Sequence, residues 1–191
     1  MQACRLLARS LSSQYQNRLG HTARLISTTN SLDMPLKEGD KLPSVDLFEG
    51  NPGKKVNTSE LSKGKVVIFG VPGAFTPTCS AEHAPSFIKQ ADALKKKGVN
   101  SIVCVSVNDP FVMEAWGKSL GAGDKVRFLA DTCAEFVKKA DLSVDLSAVL
   151  GNVRSKRFAM VVEDGVVKGM KLEPDGTGLT CSKADDVLSF L

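Results

Sequence analysis

The chain has 191 residues, of which 42% are hydrophobic and 24% charged, with a formal net charge of +4. That is one globular domain's worth of chain, long enough to bury a core, and no apolar run reaches the ~18–20 residues of a membrane span. Four of the basic residues (Arg5, Arg9, Arg18, Arg24) lie in residues 1–33 beside one acid, Asp33, which leaves 21 basic and 20 acidic residues elsewhere; so balanced a body predicts no nucleic-acid-binding face.

Residues 1–33 are rich in Arg, Ser and Thr, with no acid before Asp33. This is the pattern of a mitochondrial transit peptide. Leu6, Leu7 and Leu11 can form one apolar helix face with Arg5 and Arg9 beside it. A secretory signal needs about 7–15 uninterrupted apolar residues, and Arg9 interrupts the candidate. The expected organisation is therefore a presequence over 1–33 and a single domain over 34–191. Translation from Met34 would give a shorter product without the address, left in the cytoplasm.

Within the domain, Val45 to Phe48 reads as a short strand and Asn51-Pro52-Gly53 as a turn. Lys65 to Gly70 is a continuous apolar strand of the kind buried on both faces. A loop punctuated by Pro and Gly follows, Val71 to Pro77. A helix is expected from Thr78 to about Lys97, with Ala84, Phe87, Ile88, Ala91 and Leu94 on one face and Gly98 ending it. Lys95-Lys96-Lys97 sits at its C-terminus, where cations favour the helix dipole. Next come a buried strand, Ser101 to Val107, and a helix, Phe111 to Leu120. A strand at Val126 to Ala130 and a helix at Ala134 to Ala140 follow. Arg157 to Glu163 and Val166 to Leu172 flank Asp164-Gly165, a strong hairpin signal. Ser182 is placed to cap a last helix from Lys183 to Leu191. This order predicts an α/β domain of thioredoxin-like form: a mixed central sheet, helices on both faces and a late antiparallel hairpin.

Neither GxGxxG nor GxxxxGK[ST] occurs, so no dinucleotide or P-loop nucleotide is expected. The five cysteines, Cys4, Cys79, Cys104, Cys133 and Cys181, form no C-x-x-C, and the only histidines are His21 and His83. Metal binding and a secreted disulfide framework are both unexpected, and no cofactor is predicted.

Cys79 falls where a buried strand, a Pro/Gly loop and a helix start meet. A helix N-terminus carries partial positive charge and unpaired N–H donors, which favour thiolate over thiol. The other reading of such a cysteine is a buried, inert packing residue. Pro72-x-x-x-Thr76-x-x-Cys79 places a hydroxyl one turn before the sulfur. Thr76 there either caps the helix or hydrogen-bonds the thiolate and a bound substrate. Pro72, with no N–H, makes an apolar wall.

The stretch Phe69-Gly-Val-Pro-Gly-Ala-Phe-Thr-Pro-Thr-Cys79-Ser80 resembles the active-site loop of type-V and type-II peroxiredoxins. Glu173-Pro-Asp-Gly-Thr-Gly-Leu-Thr-Cys181-Ser182 is similar to the C-terminal segment of animal peroxiredoxin-5. The resemblance runs from about Met34 to the end. It implies Cys79 as peroxidatic cysteine, Thr76 as its hydroxyl partner, Pro72 as its shield and an arginine against the sulfur. Arg157 matches that arginine, with Arg154 as the alternative. It further implies peroxide substrates, thioredoxin as reductant, and a monomer or weak homodimer. Cys181, in a Gly-flanked loop expected to be exposed, would be the resolving cysteine. Cys104, mid-strand, matches the resolving position of plant type-II relatives and otherwise reads as core. Cys4 and Cys133 match no catalytic position. His83 reads as a helix-surface residue and Trp116 as core.

Two other functions fit an oxidisable cysteine. A thioredoxin-type disulfide oxidoreductase needs a second cysteine three residues on, where Glu82 stands. A redox sensor would share the first oxidation but not sustained turnover. The C-terminal Ser189-Phe190-Leu191 differs from the peroxisomal Ser-Lys-Leu at its middle residue, which makes a peroxisomal pool the least expected location.

Overall fold

The computed structural model describes residues 35–191; the presequence expected over 1–33 and the start at Met34 lie outside them. Strand β1 (Asp46–Glu49) pairs antiparallel with β2 (Lys55–Asn57). The expected turn joins them, with the Asn51 side-chain oxygen accepting from the N–H groups of Gly53 and Lys54. Helix α1 (Thr58–Leu61) follows, capped by the Asn57 side chain.

Strand β3 (Lys65–Gly70) is central, as its apolar run predicts. It pairs in parallel with β4 (Ser101–Ser106) and antiparallel with β8 (Phe158–Glu163). Val67 and Phe69 point into one buried cluster, Val66 and Ile68 into the other. With β5 (Arg127–Ala130) and β9 (Val166–Leu172) the sheet order is β2-β1-β5-β4-β3-β8-β9. The β8–β9 hairpin turns at Asp164 (φ 47°) and Gly165 (φ 80°), the paired positive φ values of a type I′ turn.

Helices α2 (Ala84–Lys96), α3 (Pro110–Ser119) and α6 (Ala184–Leu188) cover one face of the sheet through Phe87, Met113, Trp116 and Val187. Leu61 of α1 and Phe136 of α4 (Glu135–Lys139) cover the other. The mixed sheet with helices on both faces is the predicted architecture. A small ribbon of β6 (Ser143–Asp145) and β7 (Val153–Ser155), with α5 (Ser147–Leu150) between them, stands apart from the main sheet.

Three local expectations change. The helix expected from Thr78 is not uniformly α: the backbone enters helix at Pro77, makes a π turn over Cys79–His83, and becomes α2 at Ala84, whose N–H donates to the Cys79 carbonyl. The last helix is shorter than expected, and Ser182 does not cap it. The Lys183 N–H donates to the Asp186 carboxylate at 2.8 Å instead, because the Ser182 hydroxyl is engaged by Glu173. Finally, β2, α1, β6, α5 and β7 have only three or four residues each, too few for hydrophobic periodicity to register.

Candidate active site

The chain leaves β3 at Gly70, whose partner across the ladder is Phe158. A side chain at position 70 would collide with the Phe158 ring. The absent Cβ lets β3 and the start of β8 close together, next to Arg157. Pro72 is buried in the loop that follows. Phe75 takes φ 61°, unusual for a non-glycine residue, and is 56% exposed. The π turn then carries Cys79, whose side chain is fully buried. Such turns occur often at functional sites, since the extra residue redirects side chains relative to the flanking helix.

Of the two candidate arginines, Arg157 reaches the sulfur: its Nη1 donates to Cys79 Sγ at 3.4 Å. Its Nε donates to the Thr177 carbonyl at 3.0 Å. Arg157 is buried, and among the described residues no carboxylate forms an ion pair with it. Its charge is thus available to a thiolate. Arg154 instead clamps the surrounding backbone, donating to the carbonyls of Val107 and Leu150, each at 2.9 Å. The Thr76 hydroxyl donates to the Gly73 carbonyl at 2.9 Å rather than to the sulfur. That bond uses its one proton and leaves its oxygen able to accept.

His83 corrects the sequence reading. It is buried, not on the helix surface. Its Nδ1 lies 3.2 Å from Arg157 Nη1 and its Nε2 2.9 Å from the Ser182 carbonyl. An arginine can only donate and a carbonyl can only accept, so the ring is the Nε2–H tautomer. Phe69 and Phe87 pack edge-on against it. Burial, then the Arg157 cation, lower its pKa to about 3, so it stays neutral and orients the guanidinium. The missed signal was its spacing: His83 is four residues from both Cys79 and Phe87, the core face of a helix.

The other cysteines separate by environment. Cys104 is fully buried on β4, paired with Phe69 and Phe128. Burial, then the neighbouring Cys79, push its thiol well up. Cys133 is exposed. Cys181 is half-buried rather than exposed, since Glu173 holds its segment. The Cys181 N–H donates to Glu173 Oε1 at 3.0 Å, and its Sγ lies 3.7 Å from the Leu172 carbonyl. Trp116 is core, as read, and its Nε1 donates to the hydroxyl of Ser80, the residue after Cys79.

A cysteine at a helix start, faced by a buried arginine that has no carboxylate partner among the described residues, on a mixed α/β sheet, fits a thiol-based redox enzyme. The comparisons specify which kind. The Redoxin family model matches residues 37–188. The chain is 43% identical over 197 residues to chloroplastic peroxiredoxin-2E of Arabidopsis thaliana, covering 98% of this chain and 84% of the relative. Reduced Prx3 of Vibrio vulnificus, solved in complex with H2O2, superposes with TM-score 0.74 at 42% identity, covering 81% and 98% of the two chains. Peroxiredoxin 5 of Alvinella pompejana superposes with TM-score 0.70 at 40% identity, covering 77% and 96%. The chain belongs to the peroxiredoxins, within the Redoxin family. It has their thioredoxin-like fold and is a thiol peroxidase, reducing peroxides.

Proposed function

We propose that Cys79 is the peroxidatic cysteine, that Arg157, Thr76 and Pro72 form its site, and that Cys181 resolves it, as in the animal type-5 peroxiredoxins. The observation that carries this reading is the 3.4 Å contact between Arg157 and the Cys79 sulfur. In the first step the thiolate attacks one peroxide oxygen and the O–O bond breaks. Sulfur, oxidised by two electrons, becomes the sulfenic acid; the departing oxygen takes up a proton and leaves as water or alcohol.

Ionisation alone cannot supply the rate. Fully ionising an ordinary thiol raises the thiolate fraction at neutral pH by roughly ten- to thirtyfold. Nucleophilicity falls as basicity falls, with a Brønsted slope of ~0.4–0.5, and the two effects largely cancel. The larger contribution is stabilisation of charge on the departing oxygen. Arg157 and the N–H groups of the helix start supply the donors; the Thr76 hydroxyl joins them by turning its proton from the Gly73 carbonyl, and buried Pro72 excludes water without competing for the peroxide.

Cys79 sulfenic acid then condenses with the Cys181 thiol, forming one S–S bond and releasing water. Thioredoxin dithiol reduces that disulfide and becomes a disulfide itself. The position of Cys104 argues against it as partner: it sits mid-sheet between two paired strands, and bridging needs Cα atoms about 4.4–6.8 Å apart with suitable side-chain direction. Cys181 lies in a loop connecting β9 to α6. Residues 1–33, Arg-rich and acid-poor, direct this enzyme to mitochondria, and a product starting at Met34 stays in the cytoplasm. Coupled turnover tests the cycle. Peroxide should drive sustained NADPH consumption with thioredoxin and thioredoxin reductase present, and Cys79→Ser should abolish it. A single stoichiometric oxidation without turnover would favour a sensor instead.

A further inference from the structure

Glu173 is buried, at 1% exposure, and the mechanism above gives it no task. Its carboxylate gathers five hydrogen bonds from one short stretch of chain. Oε1 accepts from the N–H groups of Thr180 (2.9 Å), Cys181 (3.0 Å) and Ser182 (3.0 Å) and from the Ser182 hydroxyl (2.7 Å). Oε2 accepts from the Thr180 hydroxyl at 2.7 Å. Among the described residues no cation forms an ion pair with Glu173. A carboxylate so placed is held in its charged state by these donors alone. Burial pushes its pKa up, but the hydrogen bonds from Cys181, Ser182 and Thr180 outweigh that and lower it to about 2.

We propose that Glu173 is a positioning residue for the resolving step: it latches the Cys181 segment in its resting place, and release from it sets how fast Cys181 meets oxidised Cys79. The proposal rests on Cys181 being the resolving thiol. Three consecutive backbone N–H groups cannot all point at one carboxylate while the middle residue swings away, so any movement of Cys181 toward Cys79 breaks these bonds. Charge-assisted bonds are roughly twice as strong as neutral ones, which makes this anchor the costly part of the motion. The latch also quiets the thiol itself. Burial, and then the Glu173 charge, push the Cys181 thiol up, so departure from the carboxylate favours its ionisation. The reaction is balanced without another reagent: the sulfenic oxygen of Cys79 leaves as water, carrying the Cys181 thiol proton, as the S–S bond forms. While the segment stays latched, a second peroxide can oxidise the sulfenic acid further to sulfinic acid. Glu173 therefore sets the balance between turnover and over-oxidation.

The test uses the full chain, with Glu173→Gln and Thr180→Val. The first keeps shape and removes the charge; the second removes only the hydroxyl on Oε2. After one equivalent of hydrogen peroxide, timed acid quench, alkylation and mass spectrometry read Cys79 oxidation and disulfide formation separately. Disulfide formation should accelerate by about tenfold or more in Glu173→Gln, and by a smaller factor in Thr180→Val. Excess peroxide should leave correspondingly less sulfinic acid. Amide hydrogen exchange should rise at residues 180–182 and not in β3, which separates loss of a latch from general destabilisation. Unchanged or slower disulfide formation in both variants, with Cys79–Cys181 still the bridge, overturns the latch alone. A wild-type bridge that omits Cys181 overturns the resolving assignment and the latch with it.

Discussion

Replacing His83 by Gln should remove a specific part of the acid sensitivity of the fold. The His83 pKa is lowered to about 3, first by burial and then by the Arg157 cation, against about 6.5 in an unfolded chain. Above pH 7 both states keep the ring neutral, and it contributes no pH dependence. Below about 6.5 the unfolded chain takes up a proton that the folded chain refuses, so stability falls with pH by about 1.4 kcal/mol per unit. The loss reaches roughly 2–3 kcal/mol by pH 4.5 and levels off only near pH 3. Glu173 acts in a lower window: its pKa is lowered to about 2, so its contribution is complete above about pH 4.5 and is lost as pH falls from there. Between pH 7 and 4.5 the comparison of wild type with a non-titrating variant isolates His83, because other shifted carboxyls, such as Asp131, raised by burial, titrate alike in both. Glutamine can accept from Arg157 and donate to the Ser182 carbonyl, but it does not titrate. Urea unfolding of reduced wild-type and His83→Gln chains at pH 7, 6, 5 and 4.5 supplies the comparison. The difference in stability between the two should shift by roughly 2–3 kcal/mol toward the variant across that range. Parallel curves would refute a buried neutral histidine beside Arg157.

The remaining predictions concern the chemistry and the address. Arg157→Ala should slow oxidation of Cys79 by more than about tenfold, and Arg154→Ala, which only loses clamps on backbone carbonyls, should slow it less. Stopped-flow fluorescence of the single tryptophan, Trp116, bonded to Ser80 beside Cys79, reads both rates; a larger loss in Arg154→Ala would move the role. Cys181→Ser should reduce the first equivalent of peroxide and then lose most thioredoxin-linked turnover, while Cys104→Ser turns over nearly normally, as an NADPH-coupled assay would record. Residues 1–33 fused to a fluorescent protein should send it to mitochondria, and a chain starting at Met34 should not go there; imaging that finds the first fusion evenly spread in the cytosol would contradict the presequence.

Long apolar runs and strong turn residues made the main sheet readable. Lys65 to Gly70 and the Asp164-Gly165 hairpin fall where the pattern placed them, because burial on both faces and positive φ leave direct marks on residue choice. The neighbourhood of Cys79 was readable through its helix-start position and its resemblance to a known loop. What stayed hidden depends on geometry that spacing does not encode. A π turn differs from α by one residue of register, and nothing in Cys79-Ser-Ala-Glu-His83 announces it. His83 looked like a surface residue because a lone polar side chain gives no sign of its partners, Arg157 and the Ser182 carbonyl, which lie 74 and 99 residues away. Glu173 was legible only as part of a similar segment, since its five donors converge through a loop fold. Which of Arg157 and Arg154 touches the sulfur depends on the path of the chain between β7 and β8.

The proposed cycle has two halves: peroxide oxidises Cys79, and Cys181 closes the cycle within the same chain. Peptide mapping of reduced, full-length protein, treated with one equivalent of hydrogen peroxide and alkylated without reductant, addresses both halves at once. A single Cys79–Cys181 bridge should form, with Cys104 and Cys133 recovered as alkylated thiols. Recovery of alkylated Cys79 alongside oxidation elsewhere, or a Cys79–Cys104 bridge with Cys181 free, would contradict it.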